Sequence, residues 1–401
     1  MLAHHVSPAI RPEDDGAADW RGALRLAWSV YWPIRLLLIA VGVLASLAAL
    51  QPTPDTLGGW LQSLFITPWN QQDAPRYMSI AQTGYAIADG RSAFHPLLPL
   101  LMAGLGRLLG GQYILAGLIV NDLACVGVLA TLYRLVALDY PRKIARNTLV
   151  WMLYSPVGFM LLLPYTETLA LGWILLSFWF ARHDRWLAAG LCGALATLAK
   201  QPAIVLLLAL LVEYLASRRT PLISWRSVQV AACISLVGFG YLAFSLYRIW
   251  IVPTTFSSLG ELFGALVVSP QINQLWGSRF GWQTEWLVTI VRFSLAPDTY
   301  GWYWIQMALT VAGLILFGLA LRHTRRSIAV FCGAQVFLMT TIILLGDPLM
   351  STPRRFILVF IVFIQLGIWS SASEQRHRWR FIGLAVQVLL FMGYAMGKFV
   401  P

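Results

Sequence analysis

The densest run of polar side chains in this apolar chain is Trp69-Asn70-Gln71-Gln72-Asp73-Ala74-Pro75-Arg76-Tyr77. It continues as Ile80-Ala81-Gln82-Thr83-Gly84-Tyr85 and, after a short gap, Ala93-Phe94-His95-Pro96-Leu97-Leu98-Pro99. Asp73 stands directly before Ala74-Pro75, where a helix is expected to start: Asp is a favoured cap and Pro a favoured first helical residue. A carboxylate fixed at a helix start beside a membrane surface can cap that helix. It is equally placed to take a proton from a hydroxyl as a general base. In Leu163-Pro164-Tyr165-Thr166-Glu167-Thr168, Glu167 is expected near the hydrocarbon boundary. A carboxylate at that depth faces a polar cavity or a partner, because contact with lipid is costly, or it caps the helix that follows. Lys200-Gln201-Pro202 and Arg354-Arg355-Phe356 place cations at similar boundaries. Singly they serve as headgroup anchors; converging on one face they would bind an anion such as a phosphate. Asp122 is expected inside a span, with Asn121 or Arg134 as its partner.

Several kinds of chemistry find no support. There is no Walker loop, G-x-G-x-x-G fingerprint, H-E-x-x-H or G-x-S-x-G motif, so none of the usual nucleotide or hydrolase sites is legible. Cys125, Cys192, Cys233 and Cys332 each lie within apolar runs, at spacings that fit neither a zinc site nor a disulfide framework. An enzyme built this way must draw its driving force from an activated substrate already in the membrane. Asp73 has no adjacent acidic partner, which favours metal-free chemistry, with a divalent cation (Mg or Mn) as the alternative.

The elements that must position these residues are membrane spans. Of 401 residues 58% are hydrophobic and 11% charged, against about 25% charged in soluble domains. A hydrocarbon core of about 30 Å is crossed by roughly 20 apolar residues in a helix. Such runs recur at 29–50, 113–138, 147–163, 168–182, 186–199, 203–217, 228–250, 301–321, 327–345, 356–372 and 381–398. Basic clusters fall in every second connection: 141–146, 182–185, 218–226, 322–326 and 376–380. Cytoplasmic loops retain Lys and Arg, so the net charge of +12 reads as loop cations and not as a nucleic-acid surface. Residues 95–110 are apolar, but they are short, hold two prolines and Arg107, and would invert every later loop if counted as a span. They are therefore expected to form a juxtamembrane helix on the outer side.

The expected architecture is an all-α polytopic membrane protein. About eleven transmembrane helices follow a cytoplasmic segment, 1–28, and a single transmembrane domain covers 29–401. Its large outer loops are about 51–112 and 251–300, the N-terminus faces the cytoplasm, and the first span is uncleaved. The compact loops and the lack of a eukaryotic targeting tail point to a bacterial plasma (inner) membrane, with the polar constellations on its outer face.

The pattern Asp73-Ala74-x-x-Tyr77-x-x-Ile80-Ala81-x-x-Gly84-Tyr85, with Ala93-Phe94-His95-Pro96-Leu97-x-Pro99-Leu100, resembles the first-loop signature of the PIG-V family. These are mannosyltransferases of glycosylphosphatidylinositol assembly and their bacterial relatives, within the GT-C superfamily of membrane glycosyltransferases. Tyr165-Thr166-Glu167 resembles the family's Tyr-Ser-Glu, and Arg354-Arg355-Phe356 its late Arg-aromatic element. The resemblance implies a GT-C-like bundle and a polyprenyl-phosphate sugar donor, mannose by default. The acceptor would be a lipid, glycan or protein at the membrane. Asp73 would be the catalytic base of an inverting transfer. Glu167 would hold a sugar or acceptor hydroxyl, and Lys200, Arg354 or Arg355 would steady the phosphate. Arg76, Tyr77, Tyr85, His95 and Tyr165 would complete the substrate-binding set. This chain departs from the family in Gln71-Gln72 before the Asp, in His95 within Phe94-His95-Pro96, and in Lys200 where an Arg is usual. His95 then either adds a polar group to the site or caps the short helix after it.

Other classes compete. A transporter or lipid flippase would need ionisable residues along a path through the bundle, and Asp122 is the strong mid-membrane candidate. A non-catalytic scaffold would leave Asp73 dispensable. A ligase using a diphosphate-linked donor would depend on late-loop Arg and His, and 251–300 offers Arg279 and Arg292 without a His.

Overall fold

A computed structural model describes residues 19–49, 55–85, 90–218, 221, 224–251, 258–260, 278–296, 301–344 and 347–398. Residues 1–18 of the expected cytoplasmic segment lie outside the described residues, as does most of 251–300. The first ten helices are α1 Trp20–Ala49, α2 Leu57–Phe65, α3 Ala74–Thr83, α4 Leu97–Leu108, α5 Tyr113–Val136, α6 Arg142–Tyr154, α7 Thr166–Arg182, α8 Trp186–Ala199, α9 Leu206–Ser217 and α10 Trp225–Ile251. The main helices after them are Gln283–Ser294, Gly301–Ala320, Arg326–Thr341, Ile361–Ser371 and Arg380–Ala395. Among the described residues, one short antiparallel pair, β1 Ser278–Phe280 with β2 Ile342–Leu344, departs from the all-α expectation.

Among the described residues, four helices are long and apolar enough to cross a membrane: α1, α5, α10 and Gly301–Ala320. Several other expected spans break into shorter pieces, and proline explains two of the breaks. The run 147–163 ends as α-helix at Tyr154 because Ser155 precedes Pro156 and is driven to extended backbone (φ −66°, ψ 158°). The chain resumes as a 3-10 turn, Gly158–Leu161. The run 203–217 likewise opens with the 3-10 segment Gln201–Val205, which contains Pro202, before α9 begins. At 12 residues, α4 is about 18 Å long, too short to span. The helix α1 begins at Trp20, inside the stretch 1–28.

Small residues let the helices approach closely, as is usual where apolar side chains gain little by leaving lipid. A Cβ at Gly240 on α10 would lie 2.5 Å from the Ala194 carbonyl oxygen of α8. This close packing sets α10 against the end of α8 that carries Lys200.

The two ends of the bundle differ in chemistry. At one end the basic connections meet. Arg182 forms a two-pronged bond to Asp139 at 2.8 Å, Arg325 pairs with buried Glu213, Arg226 pairs with Asp184, and the Tyr140 hydroxyl donates to the His323 carbonyl. The alternation of basic loops thus becomes a common end. At the other end, about 22 Å away along α7, lies Glu167.

Candidate functional site

Asp73 occupies the cap position of α3, but its side chain caps nothing. Its Oδ2 instead accepts from Arg354 Nη1 at 2.8 Å. Capping, one of the two roles open to Asp73 from its sequence position, is therefore not the one it takes. Glu167, also read as a possible cap, lies in the first turn of α7 behind Tyr165 at the cap position. It is 1% exposed and meets two cations: Lys200 Nζ at 2.9 Å and Arg354 Nε at 3.3 Å. Arg354 thus joins the first loop to the start of α7 through two faces of one guanidinium, the planar fork that suits this residue to such bridging.

Arg355, next along the short helix Thr352–Arg355, makes no side-chain hydrogen bond or ion pair among the described residues. Burial and then the Arg354 charge lower its guanidinium to about 10. Two cations, Lys200 and Arg354, therefore meet the two carboxylates, and Arg355 is a third cation near them that feels the Glu167 charge but makes no ion pair. Each carboxylate is already met by a guanidinium or an ammonium, and no group of three metal-ligating side chains gathers among the described residues. The cluster fits an incoming anion.

Aromatic hydroxyls hold the backbone around Asp73. Tyr165, fully buried, donates its hydroxyl to the Gln71 carbonyl at 3.3 Å and accepts from the Asp73 N–H at 3.4 Å. Asn121 Nδ2 in turn donates to the Tyr165 carbonyl at 2.8 Å and to the Leu163 carbonyl. Tyr394, on the helix Arg380–Ala395, donates to the Gln71 carbonyl at 3.0 Å and lies 3.3 Å from the Trp69 carbonyl. The Trp69 ring is 4.8 Å from Phe391 and 4.3 Å from the Arg35 guanidinium. Arg35 is the partner of Asp122, at 2.9 Å. The expected partners are both otherwise engaged: Asn121 serves the Tyr165 turn, and Arg134 lies over Trp20 and Trp179. The Asp122 charge on which a transport reading rests is thus paired with Arg35, which also lies against Trp69.

Tyr77, Tyr85, Arg76 and His95 line one flank and do not join the ion cluster. The Tyr77 hydroxyl is 3.3 Å from Thr166 Oγ1, and its ring meets Phe94 edge-on at 5.1 Å. Burial, followed by the Asp73 and Glu167 charges, pushes its phenol well above the ordinary range. Tyr85 donates to the Phe94 carbonyl at 2.8 Å, and Arg76 lies 5.8 Å from the Phe94 ring centre. His95 does not cap α4, whose cap position is Pro96. Its Nδ1 lies 2.8 Å from the Thr197 carbonyl oxygen, which can only accept, so Nδ1 carries the proton. Burial, and next the Arg248 charge, lowers this imidazole to about 3. Its ring lies against Phe244 of α10 at 4.8 Å.

Tyr394, Trp69, Arg35, Phe244 and Arg248 were not marked as site residues by the sequence. Tyr394 and Phe244 sit in ordinary apolar helices with no local signal. Arg35 and Arg248, cations inside the expected runs 29–50 and 228–250, were the legible hints, because a charge at that depth needs a partner.

No family model matches the chain, and no curated protein matches it. Among solved structures, the chain is similar to a crystal structure of the oligosaccharyltransferase of Archaeoglobus fulgidus in the apo form, with a TM-score of 0.48 and 10% identity. The match covers 91% of this chain and 56% of that one, so the chain spans about half the length of the solved structure it matches.

Proposed function

We propose that this protein is an inverting glycosyltransferase of GT-C type. It would move a sugar, mannose by default, from a polyprenyl-phosphate donor to an acceptor hydroxyl at the non-cytoplasmic membrane face. One observation carries the reading: Arg354 bonds Asp73 and Glu167 together, with Arg355 beside it making no ion pair. A base and an anion-binding pair of guanidiniums are thereby held in one cluster.

The donor phosphate is taken by Arg355 and draws Arg354 from Asp73, since guanidinium binds phosphate as readily as carboxylate. Asp73 is then free to accept a proton. The acceptor hydroxyl oxygen attacks the anomeric carbon from the face opposite the phosphate, and its proton passes to the Asp73 carboxylate. The bond between the anomeric carbon and the phosphate oxygen breaks, and the electron pair leaves with the lipid phosphate. Once Arg354 and Arg355 hold the phosphate they are in place to stabilise that charge as it develops, which is where most of the rate gain in such sites arises. Glu167, held by Lys200, orients Arg354 and presents an oxygen to a sugar or acceptor hydroxyl. The basic end of the bundle would face the cytoplasm, which puts the site outside. The span count of about eleven and the single domain over 29–401 belong to the same reading.

The test is turnover of radiolabelled polyprenyl-phosphate mannose in nanodiscs, with membrane extract as acceptor. Release of label by the native chain but not by Asp73→Asn supports the reading. Equal release by both removes Asp73 as the base. No release with mannose or any other polyprenyl-phosphate sugar overturns the glycosyltransferase assignment.

A further inference from the structure

We propose that Tyr394 is a positioning residue for Asp73. With Tyr165 it holds the Trp69–Gln71 main chain so that Gln72 takes a left-handed turn that delivers the Asp73 carboxylate to Arg354.

Gln72 has φ 54°, a conformation that a residue with a Cβ adopts only when its surroundings impose it. The surroundings are specific. On one side of Gln72, the Gln71 carbonyl accepts the Ala74 N–H that closes the turn at 3.1 Å, and it also receives two phenol hydroxyls, Tyr394 at 3.0 Å and Tyr165 at 3.3 Å. On the other side, the Asp73 N–H is tied to the same Tyr165 hydroxyl. The Gln72 side chain donates to the Lys398 carbonyl at 3.2 Å, just past the left-handed Gly397 (φ 75°) that follows the C-terminal helix. The turn is therefore clamped at three points, two of them supplied by the C-terminal helix and the residues after it.

The clamp itself is rigid. Tyr394 is fully buried, and its ring packs with Phe391 and Phe159, each at 6.1 Å between centres, and with Tyr165 at 6.3 Å. Buried hydroxyls cannot fall back on water when a bond is lost. Loss of the Tyr394 hydroxyl leaves the Gln71 carbonyl to Tyr165 and the Ala74 N–H; with its shortest bond gone, the hold on Gln72 loosens and Asp73 is less firmly delivered to Arg354. The consequence for turnover rests on Asp73 being the base; the geometry does not.

The experiment uses the full chain in nanodiscs. Tyr394→Phe keeps the ring and removes the hydroxyl. Coupling of the Asp73 carboxylate to a small amine by carbodiimide, read by peptide mass, reports whether Arg354 still covers it. We expect coupling several-fold faster in Tyr394→Phe than in the native chain. A second substitution, Gln72→Gly, should return the rate toward native, because glycine takes a left-handed turn without steric cost. A packing defect would not be mended that way. Donor turnover should follow, with kcat lowered about tenfold, KM little changed, and recovery in the double variant. Native-like coupling in Tyr394→Phe overturns the proposal, and so does faster coupling that glycine fails to reverse. If coupling behaves as expected while no variant turns over any polyprenyl-phosphate sugar, the positioning role stands and the glycosyltransferase reading falls.

Discussion

Arg354 and Asp73 are 281 residues apart in the chain and 2.8 Å apart in space. The pair joins the start of α3 to the short helix Thr352–Arg355, and through Arg354 Nε it also reaches Glu167. Any reading of the protein turns on what this triad does when an anion arrives.

If Asp73 is the base, Asp73→Asn keeps the shape of the loop and removes the proton acceptor. Donor turnover should fall at least about 100-fold, the usual contribution of a positioned general base. Donor binding, measured by retention of labelled lipid, should stay within a few-fold of native.

Arg354 and Arg355 should separate stability from binding. Arg355→Ala removes a cation that makes no ion pair or side-chain hydrogen bond, so the melting temperature should hold while the donor KM rises about tenfold, a loss typical of one charged contact. Arg354→Ala leaves buried Glu167 with Lys200 alone and Asp73 unpaired. It should destabilise the protein by roughly 3 kcal/mol, as removing one partner of a buried pair does. Melting in nanodiscs and donor titration, run side by side, decide the point.

Lys200 and Glu167 should behave as a coupled pair. Lys200→Met and Glu167→Gln should each destabilise, and the double variant should be less destabilised than the sum by about 1–2 kcal/mol, within the range for contacting charged residues. Strict additivity would show that the 2.9 Å contact contributes nothing.

His95 makes the fold acid-sensitive without taking part in proton transfer. Its imidazole is lowered from 6.5 to about 3. Between those values the unfolded chain binds a proton that the folded protein refuses, so stability falls as pH falls through this window. It is fully present above about pH 6.5. The slope for one such group approaches about 1.4 kcal/mol per pH unit. Comparing the melting temperatures of the native protein and His95→Gln from pH 7.5 to 4.5 isolates it. The native protein should lose its advantage steadily below pH 6.5, and a constant difference would contradict the buried neutral form.

Much of the candidate site was legible before the fold. Asp73, Glu167, Lys200 and Arg354 stood out because ionisable residues at the edges of apolar runs are costly and need partners. The same argument marked Asp122 but misassigned its partner: residues near it in sequence were considered, and Arg35 comes from another helix. The resemblance put Tyr77, Tyr85 and His95 in the substrate-binding set; in the fold their polar atoms meet Thr166, the Phe94 carbonyl and the Thr197 carbonyl.

The sequence by itself determined that this chain is apolar, helical and basic in alternate connections, because those properties follow from composition and local periodicity. It also marked the short list of polar residues able to do chemistry. Only the tertiary structure decided which charges meet, that Arg355 makes no ion pair, and that Tyr394 and Tyr165 hold the turn before Asp73. The physical reason is range. Helix periodicity and capping act within a few residues, whereas ion pairs and hydroxyl-to-backbone bonds form between whichever helices close packing brings together.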